Sequence, residues 1–255
     1  MDNSFILKTA LIQSAIDCSC LPEDFLSTDN KVVISKKDDN ARRYLSLPFI
    51  MDFVSYGSNI VASVSPEFKD IAQNYIDKFD FYHCFETPNI YYLNERLKPY
   101  DASVCFMAEY WLPDLDLLKE LDCGYETKVL TQDDFSELYT PDWSNALCEK
   151  RKHLDVLAVG AYDGNKLIGL AGCSADCDEM WQIGVDVLKE YRNKGIGSSL
   201  TSKLALEIIQ RNKVPFYCCA WSNLRSVKNA LRSGFKPAWA EITVKSNVFI
   251  NEMNK

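Results

Sequence analysis

The chain has 255 residues, of which 47% are hydrophobic and 25% charged, a composition typical of a globular protein of one or two domains. A formal net charge of −8 argues against a nucleic-acid-binding protein. The first residues lack a signal-peptide pattern, and no apolar run reaches the roughly 18 residues of a membrane helix. The ten cysteines lack zinc-finger spacing, so we expect a cytoplasmic protein with reduced thiols, no metal and no membrane contact.

Residues 1–122 mix helix and strand signals and predict an N-terminal α/β domain. Apolar residues at helical spacing predict helices at 5–17, 66–79 and 89–97. β-rich runs predict strands at 32–35, 50–54, 59–64 and 103–111, with a hairpin turn at Tyr56-Gly57-Ser58. The acidic connector 112–123 contains no flexible Gly/Ser linker, so the two halves are expected to pack tightly.

Residues 123–255 are more regular and predict a second α/β domain. Strands are predicted at 125–130, 156–162, 167–174, 180–187, 216–221 and 238–245. Helices are predicted after the N-cap Thr131, at 198–211 and at 224–232. A hairpin followed by a βαβαβ pattern needs at least one parallel strand pair, so the sequence predicts a mixed, partly parallel sheet flanked by helices.

Charge is unevenly distributed along the chain. Residues 181–255 contain twelve Lys or Arg and five Asp or Glu, whereas the first 180 residues carry the remaining −15. A basic segment within an acidic protein favours an anionic ligand at that segment.

Residues 185–198 read Val-Asp-Val-Leu-Lys-Glu-Tyr-Arg-Asn-Lys-Gly-Ile-Gly-Ser and join a predicted strand to a predicted helix. Gly195 and Gly197 leave backbone N–H groups open at the positive end of the helix dipole, which suits a phosphate. Arg192 and Lys194 add positive charge. The segment is neither a Walker loop nor a dinucleotide fingerprint, because it lacks Gly-Lys-Ser/Thr and a third spaced glycine.

The motif Arg192-Asn193-Lys194-Gly195-Ile196-Gly197 resembles the Arg/Gln-x-x-Gly-x-Gly/Ala pyrophosphate loop of the GNAT (GCN5-related) N-acetyltransferases. Asn223, Ser226 and Gly234-Phe235 match later positions of the same pattern, and the resemblance covers residues 125–246. It implies a GNAT-type fold for the C-terminal half. It also implies transfer of an acetyl group from acetyl-CoA, as co-substrate, to a primary amine of a small molecule or amino-acid-like acceptor by direct attack.

The resemblance further implies which residues bind acetyl-CoA. Val185 and Val187 would offer main-chain hydrogen bonds to the pantetheine arm, where their strand splays from the next. Pyrophosphate contacts would come from Arg192, Asn193, Lys194, Gly195, Ile196, Gly197 and Ser198. Asn223 and Ser226 would contact the pantetheine end beside helix 224–232.

Catalytic groups are less well defined. The tyrosine acid of the family lies seven residues after the asparagine, and that position is Ala230 here. Tyr217 is near in sequence, but a strand aromatic of this kind favours core packing. Glu179 is a candidate base before strand 180–187, with an exposed loop carboxylate as the alternative reading. Asp186, on the opposite strand face from the two valines, is another candidate.

Cys218 and Cys219 have no histidine nearby in sequence, which favours buried structural thiols over a nucleophile.

Two questions stay open at this point. Ala230 leaves room for a non-catalytic or regulatory acyl-CoA-binding protein. For residues 1–122 the alternatives are an acceptor-binding domain, a dimerising domain (with a homodimer as the possible partner) and a diverged copy of the same fold. A diverged copy should not bind CoA, because residues 1–124 contain no second Arg-x-x-Gly-x-Gly loop. The expected partner is a small-molecule amine acceptor.

Overall fold

The computed structural model describes residues 1–255. Its α-helices are α1 (Asn3–Cys18), α2 (Lys69–Lys78), α3 (Thr87–Leu97), α4 (Ile196–Gln210), α5 (Leu224–Arg232) and α6 (Asn247–Met253). Its strands are β1 (Lys31–Ile34), β2 (Met51–Ser55), β3 (Val61–Val64), β4 (Ala102–Pro113), β5 (Glu126–Thr131), β6 (Asp155–Asp163), β7 (Lys166–Ser174), β8 (Met180–Val187), β9 (Val214–Cys219) and β10 (Phe235–Ser246). None of these helices combines the length and the apolar character that crossing a bilayer requires.

The chain forms two compact units, of which the first comprises residues 1–9 and 111–237 and the second residues 10–110 and 238–255. They do not coincide with the predicted division into 1–122 and 123–255. Most of β10 belongs to the second unit because it pairs antiparallel with β2, with Ile242 opposite Phe53.

The second unit holds a sheet in the order β1-β3-β2-β10, followed by most of β4. The predicted hairpin is confirmed, since β2 and β3 are antiparallel with Met51 opposite Val64. The helix predicted at 66–79 begins as a 3₁₀ turn at Pro66–Phe68 and continues as α2. Apolar side chains of α2 and α3, such as Tyr75 and Leu93, are buried against this sheet.

The first unit holds a sheet in the order β9-β8-β7-β6-β5. Its strands are antiparallel from β5 to β8, whereas β8 and β9 are parallel. Leu200, Leu204 and Ile208 of α4 are fully buried against this sheet. The predicted fold class, a mixed and partly parallel sheet flanked by helices, is therefore confirmed.

The α-helix predicted after Thr131 is wrong. Thr131 and Asp134 do form a capping box, in which the Thr131 backbone N–H donates to Asp134 at 2.8 Å. The segment 132–154 nevertheless contains only short 3₁₀ turns. Pro141 explains part of this result, because proline lacks an N–H donor and disfavours helical backbone at the preceding residue.

The second unit also buries three carboxylates, Asp17, Asp52 and Glu241, together with Arg42. Arg42 Nη1 lies 3.0 Å from Asp17 Oδ2, and the Thr243 hydroxyl donates a hydrogen bond to Asp52 Oδ1 at 2.8 Å. Burial, and secondarily the charge of Glu241, raises the pKa of Asp52 well above its ordinary value. Folding at neutral pH must therefore either protonate Asp52 or bury its charge.

Replacing Asp52 with Asn is expected to raise the free energy of unfolding by about 1–2 kcal/mol near pH 7. Unfolded Asp52 is ionised there, whereas the folded site favours the proton; asparagine is neutral in both states and keeps an acceptor for Thr243. The gain should disappear below about pH 3.8, where both states of the wild-type side chain are protonated. Urea unfolding near pH 7 and below about pH 3.8 measures this difference in the free energy of unfolding, and Asp39→Asn, at an exposed residue, is the control. A loss of stability in Asp52→Asn near pH 7 would contradict the prediction.

Candidate active site

The parallel pair β8–β9 ends before its strands do. Its last paired residues are Ile183 and Tyr217, although β8 continues to Val187 and β9 to Cys219. Beyond that pair the two strands diverge. Main-chain N–H and C=O groups on the strand edges that face the gap therefore have no partner strand. They need hydrogen-bond partners from elsewhere.

A cleft of about 830 Å³ opens at this divergence. Its walls are the second half of β8, the loop into α4, the end of β9 and one face of α5. A cleft of this size is within the range of small-molecule and cofactor sites.

The loop between β8 and α4 presents a helix N-terminus to the cleft. Gly195 is the N-cap of α4, with the left-handed φ of 83° that favours glycine, and no side chain caps the helix. The first N–H groups of α4, at Ile196, Gly197 and Ser198, are thus left to a ligand. Uncapped N–H groups at the positive end of a helix dipole form an anion site.

Four cations line the cleft, and Asp186 is the one carboxylate in its lining. Arg225, Lys228 and Arg232 follow one another at three- and four-residue spacing and share one face of α5. Arg192 donates from Nε to the carbonyl oxygen of Val187 at 2.9 Å, which ties the loop to the end of β8. The basic face of α5 was not predicted, although this spacing within the basic segment could have revealed it.

Most of the residues predicted to bind the cofactor line this cleft. They are Val185, Val187, Arg192, Asn193, Gly195, Ile196, Gly197, Ser198, Asn223 and Ser226. Ile196 contributes backbone only, because its side chain is buried in the core. Asn223 caps α5 by accepting a hydrogen bond from the Ser226 N–H at 3.2 Å. Lys194 is outside the lining, where its Nζ lies 5.0 Å from the ring centroid of Tyr191.

The structure does not bring Glu179 to the cleft. Its exposed carboxylate lies 3.3 Å from Lys213 Nζ. Asp186 does line the cleft, but its carboxylate accepts hydrogen bonds from Asn145 N at 2.8 Å, Asn145 Nδ2 at 2.6 Å and Ala146 N at 3.0 Å. Asp186 therefore anchors the segment 145–146. Ala230 is fully buried and supplies no hydroxyl group.

Two glycines allow the segment 145–146 to lie directly on the sheet. Gly172 and Gly184 are cross-strand partners in β7 and β8. A Cβ on Gly184 would lie 1.8 Å from the Asn145 carbonyl oxygen, and one on Gly172 would lie 2.2 Å from that of Ala146. The irregular segment thus covers the sheet face opposite α4.

Polar side chains surround the point where β8 and β9 diverge. The hydroxyls of Tyr217 and Ser226 are 3.2 Å apart, and burial raises the pKa of Tyr217. Tyr217 packs in the core, as its strand position predicts, and also lines the cleft. On the other sheet face, Gln182 Nε2 donates to Cys218 Sγ at 2.8 Å.

A mixed sheet whose parallel strands β8 and β9 diverge beside the uncapped N-terminus of α4 matches the fold expected from the motif. Residues 94–239 match the family model for GNAT acetyltransferases. Because this match spans more than half of the chain, the protein belongs to the GNAT acetyltransferase family. The search of curated proteins finds no match.

Solved structures with similar coordinates share little sequence with this chain. A GNAT acetyltransferase from Colwellia psychrerythraea is 15% identical, with a TM-score of 0.46 over 72% of this chain and 76% of that one. A GCN5-related N-acetyltransferase from Sphaerobacter thermophilus is 12% identical, with a TM-score of 0.48 over 74% and 72%. A tandem GNAT protein from the clavulanic acid biosynthesis pathway is 14% identical, with a TM-score of 0.45 over 64% and 59%.

Replacing Gly184 with Ala is expected to lower the free energy of unfolding by about 1–3 kcal/mol, because the new methyl group forces the Asn145 backbone off the sheet. Denaturant unfolding measures the change. Gly160→Ala is the matched control, since the three atoms nearest to its Cβ belong to the side chains of Leu167 and Tyr162, the closest at 2.8 Å, and side chains can move more easily than backbone. Equal losses in the two variants would show that the close approach of segment 145–146 does not restrict residue 184.

Proposed function

We propose that the protein is an N-acetyltransferase that moves the acetyl group of acetyl-CoA to a primary amine of a small molecule or amino-acid-like acceptor. The observation that best supports the proposal is that three features meet at one cleft. These are the divergence of β8 from β9, the uncapped N-terminus of α4 and the basic face of α5. Family membership supports acyl transfer in general, whereas the acetyl donor and the amine acceptor are proposed.

The residues of the cleft fit the two chemical parts of acetyl-CoA. Its pyrophosphate is an anion, and the free N–H groups at Ile196–Ser198 together with Arg192 would hold it. The pantetheine arm carries amides, and the edge of β8 at Val185 and Val187, which has no partner strand, offers complementary main-chain groups. The Val187 carbonyl oxygen already accepts a hydrogen bond from Arg192, which leaves the Val187 N–H and the main chain of Val185 for the arm. Acetyl-CoA supplies an activated thioester, and the protein orients it and excludes water.

The acceptor must reach the thioester as a neutral amine. A lysine-like amine has a reference pKa of about 10.4, so a proton must leave before or during attack. Asp186, the carboxylate in the cleft, is engaged by three donors, and Glu179 lies outside. Glu179 could therefore accept this proton only through intervening water.

The sheet face opposite α4 is the proposed approach for the acceptor. Asn145, Gln182 and Cys218 line the cleft there with neutral polar groups. Segment 145–146 rests on the sheet at Gly172 and Gly184 and covers part of this face. This partial cover supports a small acceptor over a folded protein.

A second candidate function is an acyl-CoA-binding protein without turnover. The observation in its favour is Ala230, which supplies no hydroxyl where the family places a tyrosine.

Release of free thiol from acetyl-CoA over a panel of primary amines separates the two functions. We expect amine-dependent thiol release that saturates with both substrates, together with acetylated product detected by mass spectrometry. Acetyl-CoA binding measured by calorimetry without turnover on any amine would favour the binding protein. Absence of acetyl-CoA binding would contradict both.

Neutralising the basic face of α5 is expected to weaken acetyl-CoA binding. The triple variant Arg225→Ala, Lys228→Ala and Arg232→Ala removes exposed cations near an anionic ligand, and an increase in Kd of about tenfold at low salt is expected. The difference should shrink as salt screens the charges.

The matched control removes the same number of charges outside the cleft, as Lys128→Ala, Lys150→Ala and Lys152→Ala. A similar loss of affinity in this control would show that net charge, and not the face of α5, governs binding.

A further inference from the structure

Breaking the C–S bond of a thioester leaves negative charge on sulfur. The cleft must stabilise that charge or neutralise it with a proton. A thiol has a reference pKa of about 8.5, and a partly buried thiolate loses the water that would stabilise it. A proton donor at the sulfur therefore lowers the barrier to its departure. Ala230 supplies no such donor.

Tyr217 lies at the point where β8 and β9 begin to diverge. It is the last residue of β9 that pairs with β8, opposite Ile183. Its ring packs in the core beneath α5, with its centroid 6.3 Å from that of Phe235. The side chain is only 4% exposed, yet it lines the cleft. The phenol is thus held at the deep end of the gap that would receive the pantetheine arm.

The surroundings of Tyr217 orient its hydroxyl and keep it protonated. Ser226 Oγ lies 3.2 Å from the Tyr217 oxygen, and Asn229 is a second hydrogen-bonding neighbour. Asn229 is itself positioned by a hydrogen bond to Thr201 Oγ1 at 3.0 Å. The phenol carries its proton near pH 7, as tyrosine ordinarily does. Burial raises the pKa of Tyr217, and the hydrogen bonds to Ser226 and Asn229 oppose this by lowering it.

The other acidic side chains of the cleft are placed less well. The hydroxyl of Tyr191 donates to Asp163 Oδ2 at 2.9 Å, at the outer end where the loop begins. Cys218 Sγ accepts a hydrogen bond from Gln182 on the opposite sheet face. Serine hydroxyls are much weaker acids than a phenol.

We infer that Tyr217 is the general acid that protonates the departing sulfur, an assignment that depends on the acetyl transfer proposed above. The amine nitrogen forms a bond to the acetyl carbon, the C–S bond breaks, and its electron pair goes to sulfur. The Tyr217 proton passes to that sulfur, and solvent returns a proton to the phenolate through the Ser226 hydroxyl. The proton lost by the amine leaves to water, so the step balances.

Replacing Tyr217 with Phe removes one oxygen and keeps the ring. We expect kcat to fall by about 100-fold or more, because general acid catalysis contributes on that scale. The Kd for acetyl-CoA should stay within about twofold of wild type, since the phenol acts on the leaving group and not on binding. Tyr162→Phe, in β6 and away from the cleft, is the matched control and should keep the wild-type kcat.

A nearly isosteric variant distinguishes loss of the acid from a folding defect. Fluorinated tyrosine at position 217 has a lower phenol pKa, and kcat should fall at high pH once the acid is deprotonated. The fall should therefore begin at lower pH than in wild type. Wild-type turnover with an unchanged kcat in Tyr217→Phe, or an unchanged pH profile in the fluorinated protein, would overturn the assignment alone. Absence of wild-type turnover on every amine would contradict the proposed function and this assignment with it.

Discussion

The divergence of β8 from β9 is the constraint on which the site depends. Parallel strands normally satisfy each other's N–H and C=O groups, but pairing here stops at Ile183 and Tyr217 while both strands continue. The open edges need hydrogen-bond partners from side chains, water or a ligand. An extended ligand rich in amides would supply such partners. The same geometric feature therefore creates the cleft, exposes its hydrogen-bonding groups and sets the direction in which a pantetheine arm would lie.

The rest of the first unit supports this opening from both faces of the sheet. On one face, α4 and α5 pack over the sheet and bring the uncapped N–H groups and the basic side chains to the cleft. On the other, segment 145–146 is fixed by Asp186 and by the absence of side chains at Gly172 and Gly184. Asp186 acts here as an anchor that accepts three hydrogen bonds, which accounts for a carboxylate in the wall of the cleft.

Local signals in the sequence were enough to predict the fold class and the glycine-containing loop that joins β8 to α4. Gly195 and Gly197 follow a β-rich run and precede an amphipathic helix, and such short-range patterns survive in the folded protein. The roles of several site residues could not be predicted, because they depend on contacts between residues that are distant in the sequence. The pairing of Glu179 with Lys213, the anchoring of segment 145–146 by Asp186 and the contact of Tyr217 with Ser226 each require the folded chain. The helix predicted after Thr131 was wrong because a correct cap does not ensure a helix beyond it.

A crystal structure of the protein with acetyl-CoA bound would show whether the gap between β8 and β9 holds this ligand. We expect pyrophosphate oxygens within hydrogen-bonding distance of the N–H groups of Ile196–Ser198, and a pantetheine arm hydrogen-bonded to the main chain of Val185 or Val187. We also expect the thioester sulfur beside the Tyr217 hydroxyl. Acetyl-CoA bound elsewhere, with β8 and β9 still open and empty, would contradict these expectations.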